Sequence, residues 1–316
     1  IVVESERPKL APDLLTPLMR IHGETRIQTA IEISKKLFPQ EKSAAAVVLA
    51  RADDFPDALA GAPLAYNVGG PLLMTNTSAL HADTATEIAR VLKSGGDVCV
   101  LGGTAAISDN VVQTLKDDGY SVSRLGGADR YETAVKIAEA LGDAPEKAFL
   151  VTGQNFPDAV AVSSAAARLR APVLLTTAQN LSNSTKGYLS EYDIEDIYVI
   201  GGTAAISDTV YVAAGGTKRL GGADRWETAV AIAKEFFPAP QIVTVATGLS
   251  FPDALSGGVL AAAGEAPVLL THPERLPEAT GGYILQASDM LVQTFVFGGP
   301  DAVSAGVFDK IAGLLP

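Results

Sequence analysis

A chain of 316 residues, 47% hydrophobic and 19% charged, has the apolar content for a sizeable globular core and length enough for two or three domains. Its formal net charge of −12, with no run of Lys or Arg to reverse it locally, excludes nucleic acid and anionic membrane surfaces as partners. The single cysteine, Cys99, excludes an intramolecular disulfide framework, and the scattered His22, His81 and His272 show no metal-ligand spacing, so neither metal nor cofactor is expected.

The chain begins at Ile1 rather than Met, as a processed or trimmed product does. Residues 1–19, with Pro8, Pro12 and Pro17, read as an extended lead-in. No charged-then-apolar leader is visible, and no apolar run reaches the roughly 18 residues that a membrane span needs, so no membrane insertion is expected.

From Arg20 onward four landmarks recur three times in one order. The first runs from Arg20 to Arg26, Arg124 to Arg130 and Arg219 to Arg225, each followed by a Thr-Ala pair. The second is Phe-Pro-Asp-Ala at Phe55–Ala58, Phe156–Ala159 and Phe251–Ala254. The third is a Pro-led apolar strand beginning at Pro71, Pro172 and Pro267. The fourth is Gly-Gly-x-x-Ala-φ-Ser, at Gly102–Ser108, Gly201–Ser207 and Gly298–Ser304. The copies divide the chain into modules 20–123, 124–218 and 219–316.

Within the second copy the spacing predicts a helix over 129–141, a strand over 149–152 and a helix over 157–169. A strand over 172–176, a helix over 184–191 and a strand over 197–200 follow. Ser207 opens a last helix, and a strand ends at Leu220. Short β-rich runs alternating with helices imply right-handed crossovers and a parallel sheet covered on both faces. Each copy is then a small Rossmann-like or Toprim-like α/β domain. The run Asp97–Leu101 predicts a strand that buries Cys99 as a small hydrophobe.

In the first landmark, Asp129 with Glu132 and Asp224 with Glu227 form capping boxes, and Thr25 with Gln28 caps the first copy equally well. Gly126, Gly127, Gly221 and Gly222 serve the sharp strand-to-helix turn. Arg26, Arg130 and Arg225 then fall at the first helical position, where the helix dipole disfavours a cation by about 0.3–1 kcal/mol. Two arrangements would offset that cost: an internal ion pair with the Phe-Pro-Asp aspartate, or an anion held from a ligand. Arg20, Arg124 and Arg219 sit at strand ends, on the edge where ligands gather in such sheets.

Asp57, Asp158 and Asp253 lie in the first turn of a Pro-started helix, where the dipole favours them, and again at that ligand-gathering edge. The helices behind them, Ala58–Ala65, Ala159–Ala167 and Ala254–Ala263, carry no charge on any face. A helix apolar all round is buried all round, so the three copies are expected to pack about these helices as one compact pseudo-threefold body. The Gly-Gly landmark lacks Gly-x-Gly-x-x-Gly spacing, a Walker lysine and a ribose-binding acid, and reads as a tight turn rather than a nucleotide site.

With these motifs in place, the sequence resembles the cell wall binding repeat 2 family. The resemblance rests on Arg124–Ala134, its twin Arg219–Ala229, Phe-Pro-Asp-Ala and the Gly-Gly strand ends, and it covers residues 20–316. It implies three tandem Toprim-like modules packed as a compact trimer in a secreted protein held at the Gram-positive cell wall. It also implies non-covalent binding of an anionic cell-wall polysaccharide, a secondary polymer of teichoic-acid type. The polymer-binding candidates are then Arg20, Arg26 and Asp57; Arg124, Arg130 and Asp158; and Arg219, Arg225 and Asp253. The first copy departs from the pattern, with His22-Gly23-Glu24-Thr25 in place of Leu-Gly-Gly-Ala-Asp and Ile27 in place of Tyr131 or Trp226. Family members pair the modules with a separate functional region such as an amidase, a protease or an adhesin, so an additional functional domain belongs to the expectation for a full-length parent.

Two other classes compete with this reading. A structural surface-layer or adhesion protein would self-assemble and ignore wall material. A metal-dependent Toprim-like hydrolase needs a glutamate after one strand and Asp-x-Asp after another, and no copy has that pair; nor is there a Gly-x-Ser-x-Gly elbow. The sequence therefore reads as non-catalytic, with no catalytic residue assigned.

Overall fold

The structure is a computed structural model that describes residues 6–13, 15–142 and 145–316. Of the lead-in expected over 1–19, residues 1–5 and 14 lie outside the described residues. The described part runs without regular structure until strand β1 begins at Leu18. It lies along the third copy: the Leu10 amide donates to the Ala263 carbonyl at 3.1 Å. The Gln293 side chain accepts from the Asp13 amide at 3.0 Å and donates to the Thr16 carbonyl at 3.1 Å.

The twelve described strands form three parallel four-stranded sheets. One contains, in spatial order, β3 (Leu72–Thr75), β2 (Ala46–Arg51), β4 (Asp97–Leu101) and β5 (Ser121–Leu125). The second contains β7 (Val173–Thr176), β6 (Lys147–Thr152), β8 (Asp196–Ile200) and β9 (Lys218–Leu220). The third contains β11 (Val268–Thr271), β10 (Ile242–Thr247), β12 (Gln293–Phe297) and β1 (Leu18–Ile21). The Pro-led strands β3, β7 and β11 are buried at every position, as unbroken apolar runs covered on both faces should be.

The strand that opens each sequence copy therefore joins the sheet of the copy before it. β5 pairs with β4, β9 with β8, and β1 with β12, closing the cycle in the register Leu18↔Thr294 to Ile21↔Phe297. Sequence periodicity carries no trace of this exchange, because it reports order along the chain and not which sheet a strand completes.

The uncharged helices pack on one another as their composition requires. α6 (Pro157–Leu169) starts and ends where the sequence places it, and α10 (Pro252–Ala263) is its counterpart. From Ala159 to Ala167 and from Ala254 to Ala263 every residue is buried. Close approach needs small side chains: a Cβ on Gly258 would lie 2.3 Å from Ser163 Oγ and 3.4 Å from the Ala62 Cβ. At the carboxyl edges of the sheets Phe55, Phe156 and Phe251 meet edge to face, with centroids 5.8, 5.6 and 6.0 Å apart and interplanar angles of 60–62°. Three rings from three copies in one geometry mark the pseudo-threefold axis. A single apolar cluster runs through all three copies, from Ile21 to Phe297.

One element differs from expectation. In the first copy the helix does not open at Phe-Pro-Asp; α2 spans only Gly61–Asn67, and the residues before it form turns. The cause is Pro63, which stands where the other copies have Ser164 and Val259. A helix begun at Asp57 would put Pro63 in its interior, without an amide to donate and with its ring against the carbonyl of Leu59. Starting at Gly61 places the proline in the first turn, where its amide is not needed.

After these helices the backbone turns left-handed, at Gly69 (φ 71°), Arg170 (φ 54°) and Glu265 (φ 51°). The reversal is closed by Gly70, Ala171 and Ala266 amides donating to the Ala65, Ala166 and Ala261 carbonyls at 3.0, 2.9 and 2.8 Å, the arrangement that favours glycine at the left-handed residue. Glu265→Gly is accordingly expected to stabilise the protein. Relief of a left-handed side chain, about 1–2 kcal/mol, exceeds the loss of the largely exposed Arg168–Glu265 pair at 3.2 Å, worth about 0–1 kcal/mol. The check is the urea midpoint, which should rise; a fall would mean that the ion pair dominates.

Candidate functional site

The site is built at the starts of α1 (Arg26–Leu37), α5 (Arg130–Ala140) and α9 (Arg225–Phe236). Asp129 Oδ1 accepts from the Tyr131 and Glu132 amides at 3.0 and 2.9 Å, and Glu132 reaches back to the Ala128 amide at 2.8 Å. Asp224 and Glu227 repeat this on α9. Thr25 and Gln28 repeat it on α1, at 3.3 Å to the Gln28 amide and 3.1 Å from the Glu24 amide. The capping acids are thus engaged with backbone.

The arginine that follows each cap points its guanidinium at a strand-end carbonyl of its own copy. Arg26 Nη1 donates to Ala52 at 2.9 Å, Arg130 Nη1 to Gly153 at 2.6 Å and Arg225 Nη1 to Gly248 at 2.5 Å. A carbonyl at the carboxyl edge of a strand, directed at the cation, offsets its position at the positive end of the helix.

The aspartates feel the charge of these arginines across the copy boundaries. The Arg130 charge acts on Asp57, Arg225 on Asp158, and Arg26 on Asp253. Each junction therefore pairs the aspartate of one copy with the helix-start arginine of the next, and the third copy connects back to the first. Burial pushes all three carboxyls above the ordinary carboxylate range, Asp158 to about 6 with Arg225 pulling partly the other way. Asp57 is pulled back by the Thr133 hydroxyl, Arg130 and Arg51; Asp253 by the Thr29 hydroxyl, Arg26 and His22.

The first glycine of each Gly-Gly turn holds its aspartate in place. Gly102, Gly201 and Gly298 have φ of +91°, +105° and +101°. A Cβ on any of them would lie 2.5, 2.5 or 2.6 Å from Oδ2 of Asp57, Asp158 or Asp253. Gly127 and Gly222 are required for a different reason from the one the turn suggested. A Cβ there would fall 2.4 and 2.2 Å from the Cβ of Glu132 and Glu227, so close backbone approach, rather than a left-handed backbone, demands glycine.

Arg20, Arg124 and Arg219 are placed apart from the helix-start arginines. Their Nη1 groups donate to the carbonyls of Gly298, Gly102 and Gly201 at 2.8, 2.9 and 3.1 Å. Each thereby fastens the Gly-Gly turn of one copy to the opening strand of the next. Arg124 and Arg219 also pair with Asp109 and Asp208, at 3.2 and 3.1 Å, and Arg20 lies 4.7 Å over the Phe308 ring.

Sequence reasoning did not single out Thr29, Thr133 and Thr228. Each is buried, and its hydroxyl accepts from the amide of Gly23, Gly127 or Gly222 at 3.0–3.1 Å. The signal was the Thr-Ala pair after each first landmark: a polar residue on the buried face of a helix, repeated three times.

Two junctions open as clefts. That between the second and third copies has a volume of about 530 Å³ and is lined by Asp158, Arg225 and Thr228 with Gln154, Asn155 and the cap Asp224. That between the third and first, about 370 Å³, is lined by Asp253, Arg26 and Thr29 with His22, Glu24 and Asp301. Repeated carboxylate, hydroxyl and guanidinium groups in an open cleft suit a polar, hydroxyl- or anion-bearing ligand. Among the described residues no group of three or more His, Cys, Asp and Glu side chains could hold a metal ion, and no helix is long and apolar enough to cross a membrane.

A family model described as Cell wall binding domain 2 matches residues 20–112, 124–211 and 219–308. The N-acetylmuramoyl-L-alanine amidase LytC of Bacillus subtilis (strain 168) is 33% identical over 292 residues, which span 92% of this chain and 57% of that protein. The amidase enhancer of the same organism is 30% identical over 278 residues, 86% of this chain and 37% of that protein. The chain thus spans about half, or less, of the length of these relatives. Among solved structures, Cwp6 and Cwp8 from Clostridium difficile each superpose with a TM-score of 0.86 at 27% identity over 95% of this chain, which corresponds to 48% and 52% of theirs.

Proposed function

Because the chain belongs to the cell wall binding domain 2 family, we infer that it is a non-catalytic anchoring body that holds a protein at the cell wall by binding an anionic secondary polymer of teichoic-acid type. The observation that carries this reading is the threefold recurrence of one polar junction. Asp57 with Arg130, Asp158 with Arg225 and Asp253 with Arg26 repeat the same cross-copy electrostatic pairing around one axis. A catalytic centre needs one complete set of groups, whereas a repeating polymer is served by several modest sites on one rigid body, where the second and third contacts form at high effective concentration. The helix-start arginines are the anion-binding groups in this reading, and Arg20, Arg124 and Arg219 support them by fixing the glycine turns.

Charge reversal tests it. Arg130→Glu combined with Arg225→Glu is expected to reduce co-sedimentation with purified Gram-positive walls by more than tenfold while the far-UV circular dichroism stays native. The loss of two carbonyl contacts costs about 1–3 kcal/mol each at most, which a body with one continuous core can absorb. Wild-type binding should also disappear when the secondary polymers are extracted from the walls with acid. Undiminished binding by the double variant would remove the arginines from the site, and binding retained after extraction would point to peptidoglycan instead.

A further inference from the structure

The junction clefts are not simply basic. In the cleft between the second and third copies the charged side chains are Asp158, Asp224 and Arg225, so an anion that approaches Arg225 enters a cleft that already holds two carboxylates. Asp224 is committed to the helix amides of Trp226 and Glu227, each at 2.9 Å. Asp158 is the group in competition, and it has nowhere to retreat: it is fixed in the first turn of α6, with Gly201 directly against its Oδ2.

Resting on the polymer-binding reading above, we propose that Asp57, Asp158 and Asp253 are internal counter-ions to the helix-start arginines, and that each takes up a proton when an anionic group of the polymer docks on the arginine of the next copy. The step balances without a further reactant: a solvent proton binds one carboxylate oxygen, the carboxylate loses its negative charge, and the incoming phosphate or carboxylate replaces it beside the guanidinium.

Three features support this. The carboxylates are half-buried, and the charged groups that share the cleft with Asp158 are Arg225 and the capping Asp224, whose carboxylate is held by helix amides; the end of β6 and the loop after it contribute Thr152, Gln154 and Asn155, and the turn after β8 contributes Gly202, Ala204 and Ala205. Burial already places the Asp158 proton affinity near neutrality, at about 6, against the pull of Arg225; an anion on Arg225 cancels that pull and raises it further. The arrangement also recurs with variations that set its strength. Asp57 feels Arg51 in addition to Arg130, with Asp54 opposing them, while Asp253 feels Arg26 and His22 in a cleft that also holds Glu24 and Asp301.

Linkage fixes the sign. A site that takes up a proton on binding holds its ligand more tightly as pH falls, by up to about tenfold per pH unit for one proton, and the effect levels off once the free carboxyl is itself protonated. For Asp158 the gain therefore lies above pH 6. Repulsion between an acidic protein and an acidic polymer is relieved by the same protonation.

The test is isothermal titration calorimetry with the soluble polymer released from purified walls by mild acid, at pH 6.5 and 7.5, in two buffers of different ionisation enthalpy. Net proton uptake and tighter binding at the lower pH are expected for the wild type. Asp158→Asn should lose part of the uptake and bind more tightly at pH 7.5; the triple variant with Asp57→Asn and Asp253→Asn should show no uptake and a flat pH profile. Binding without proton uptake, or an unchanged uptake in Asp158→Asn, overturns the proposal and leaves polymer binding standing. No binding of released polymer by the wild type at either pH overturns the polymer reading and this proposal with it.

Discussion

Alanine in place of Phe251 is expected to cost about 3 kcal/mol and to weaken all three copies together. Phe251 is 9% exposed and touches the rings of Phe55 and Phe156 at centroid distances of 5.6 and 6.0 Å. Truncating a buried phenylalanine costs about 3–5 kcal/mol. The lower end applies at the axis, where the rings of Phe55 and Phe156 are only half-buried. Each edge-to-face contact adds about 0.5–1.5 kcal/mol beyond area burial. The same contacts make the three substitutions non-additive, because each variant already removes two of the three ring pairs. Trp226, the single tryptophan, reports on the third copy. In urea, its fluorescence midpoint should fall for Phe156→Ala, in another copy, as well as for Phe251→Ala. If Phe156→Ala leaves the Trp226 transition in place, the copies unfold separately and the shared core does not couple them.

The second large effect is at Gly201. Gly201→Ala places a Cβ 2.5 Å from Asp158 Oδ2 and 2.9 Å from the Ala205 Cβ, on a backbone with φ +105°. Left-handed backbone alone costs a side chain about 1–2 kcal/mol, and overpacking adds about 1–3 kcal/mol. A loss near 3–4 kcal/mol is expected, together with weaker wall binding because Asp158 is pushed off the turn. Gly187→Ala, in α7 (Asn183–Glu191), is the matched control, since nothing lies within 4 Å of its Cβ. Helix propensity makes that change stabilising by up to about 1 kcal/mol. Adding Asp158→Gly to Gly201→Ala should relieve the clash with the carboxylate but neither the approach to the Ala205 Cβ nor the backbone strain, so only part of the loss should return in urea denaturation. Full recovery would show that strain at Gly201 is negligible.

What the sequence disclosed and what it withheld divide along a physical line. Local chemistry was readable. The caps at Asp129 and Asp224, the helix Pro157–Leu169 and the all-round burial of the alanine-rich helices follow from residues within a few turns of one another. Relations between copies were not readable, because identical motifs carry no information on which copy faces which. That Arg130 acts on Asp57 rather than on Asp158, or that Arg124 grips Gly102, is decided by strand exchange between sheets. Arg20, Arg124 and Arg219 looked equivalent in kind to the helix-start arginines, and only geometry separates turn-fastening residues from cleft-lining ones. Pro63 could have been read from sequence: an imino acid six residues after Asp57 argues against a helix opening at Phe-Pro-Asp in the first copy. Thr133 and its counterparts were visible as a recurring polar residue, but a threonine on a helix face is ordinary until its glycine partner is known.

The closure of the third sheet by β1 has a consequence for how such a molecule arose and how it can be divided. The unit that was duplicated and the unit that folds are offset by one strand, so no copy cut out at its own motif boundaries is self-sufficient: it would carry one strand without a neighbour and lack another. Strand pairing alone would close for any number of copies; it is the three phenylalanines meeting at the axis that suit a body of three.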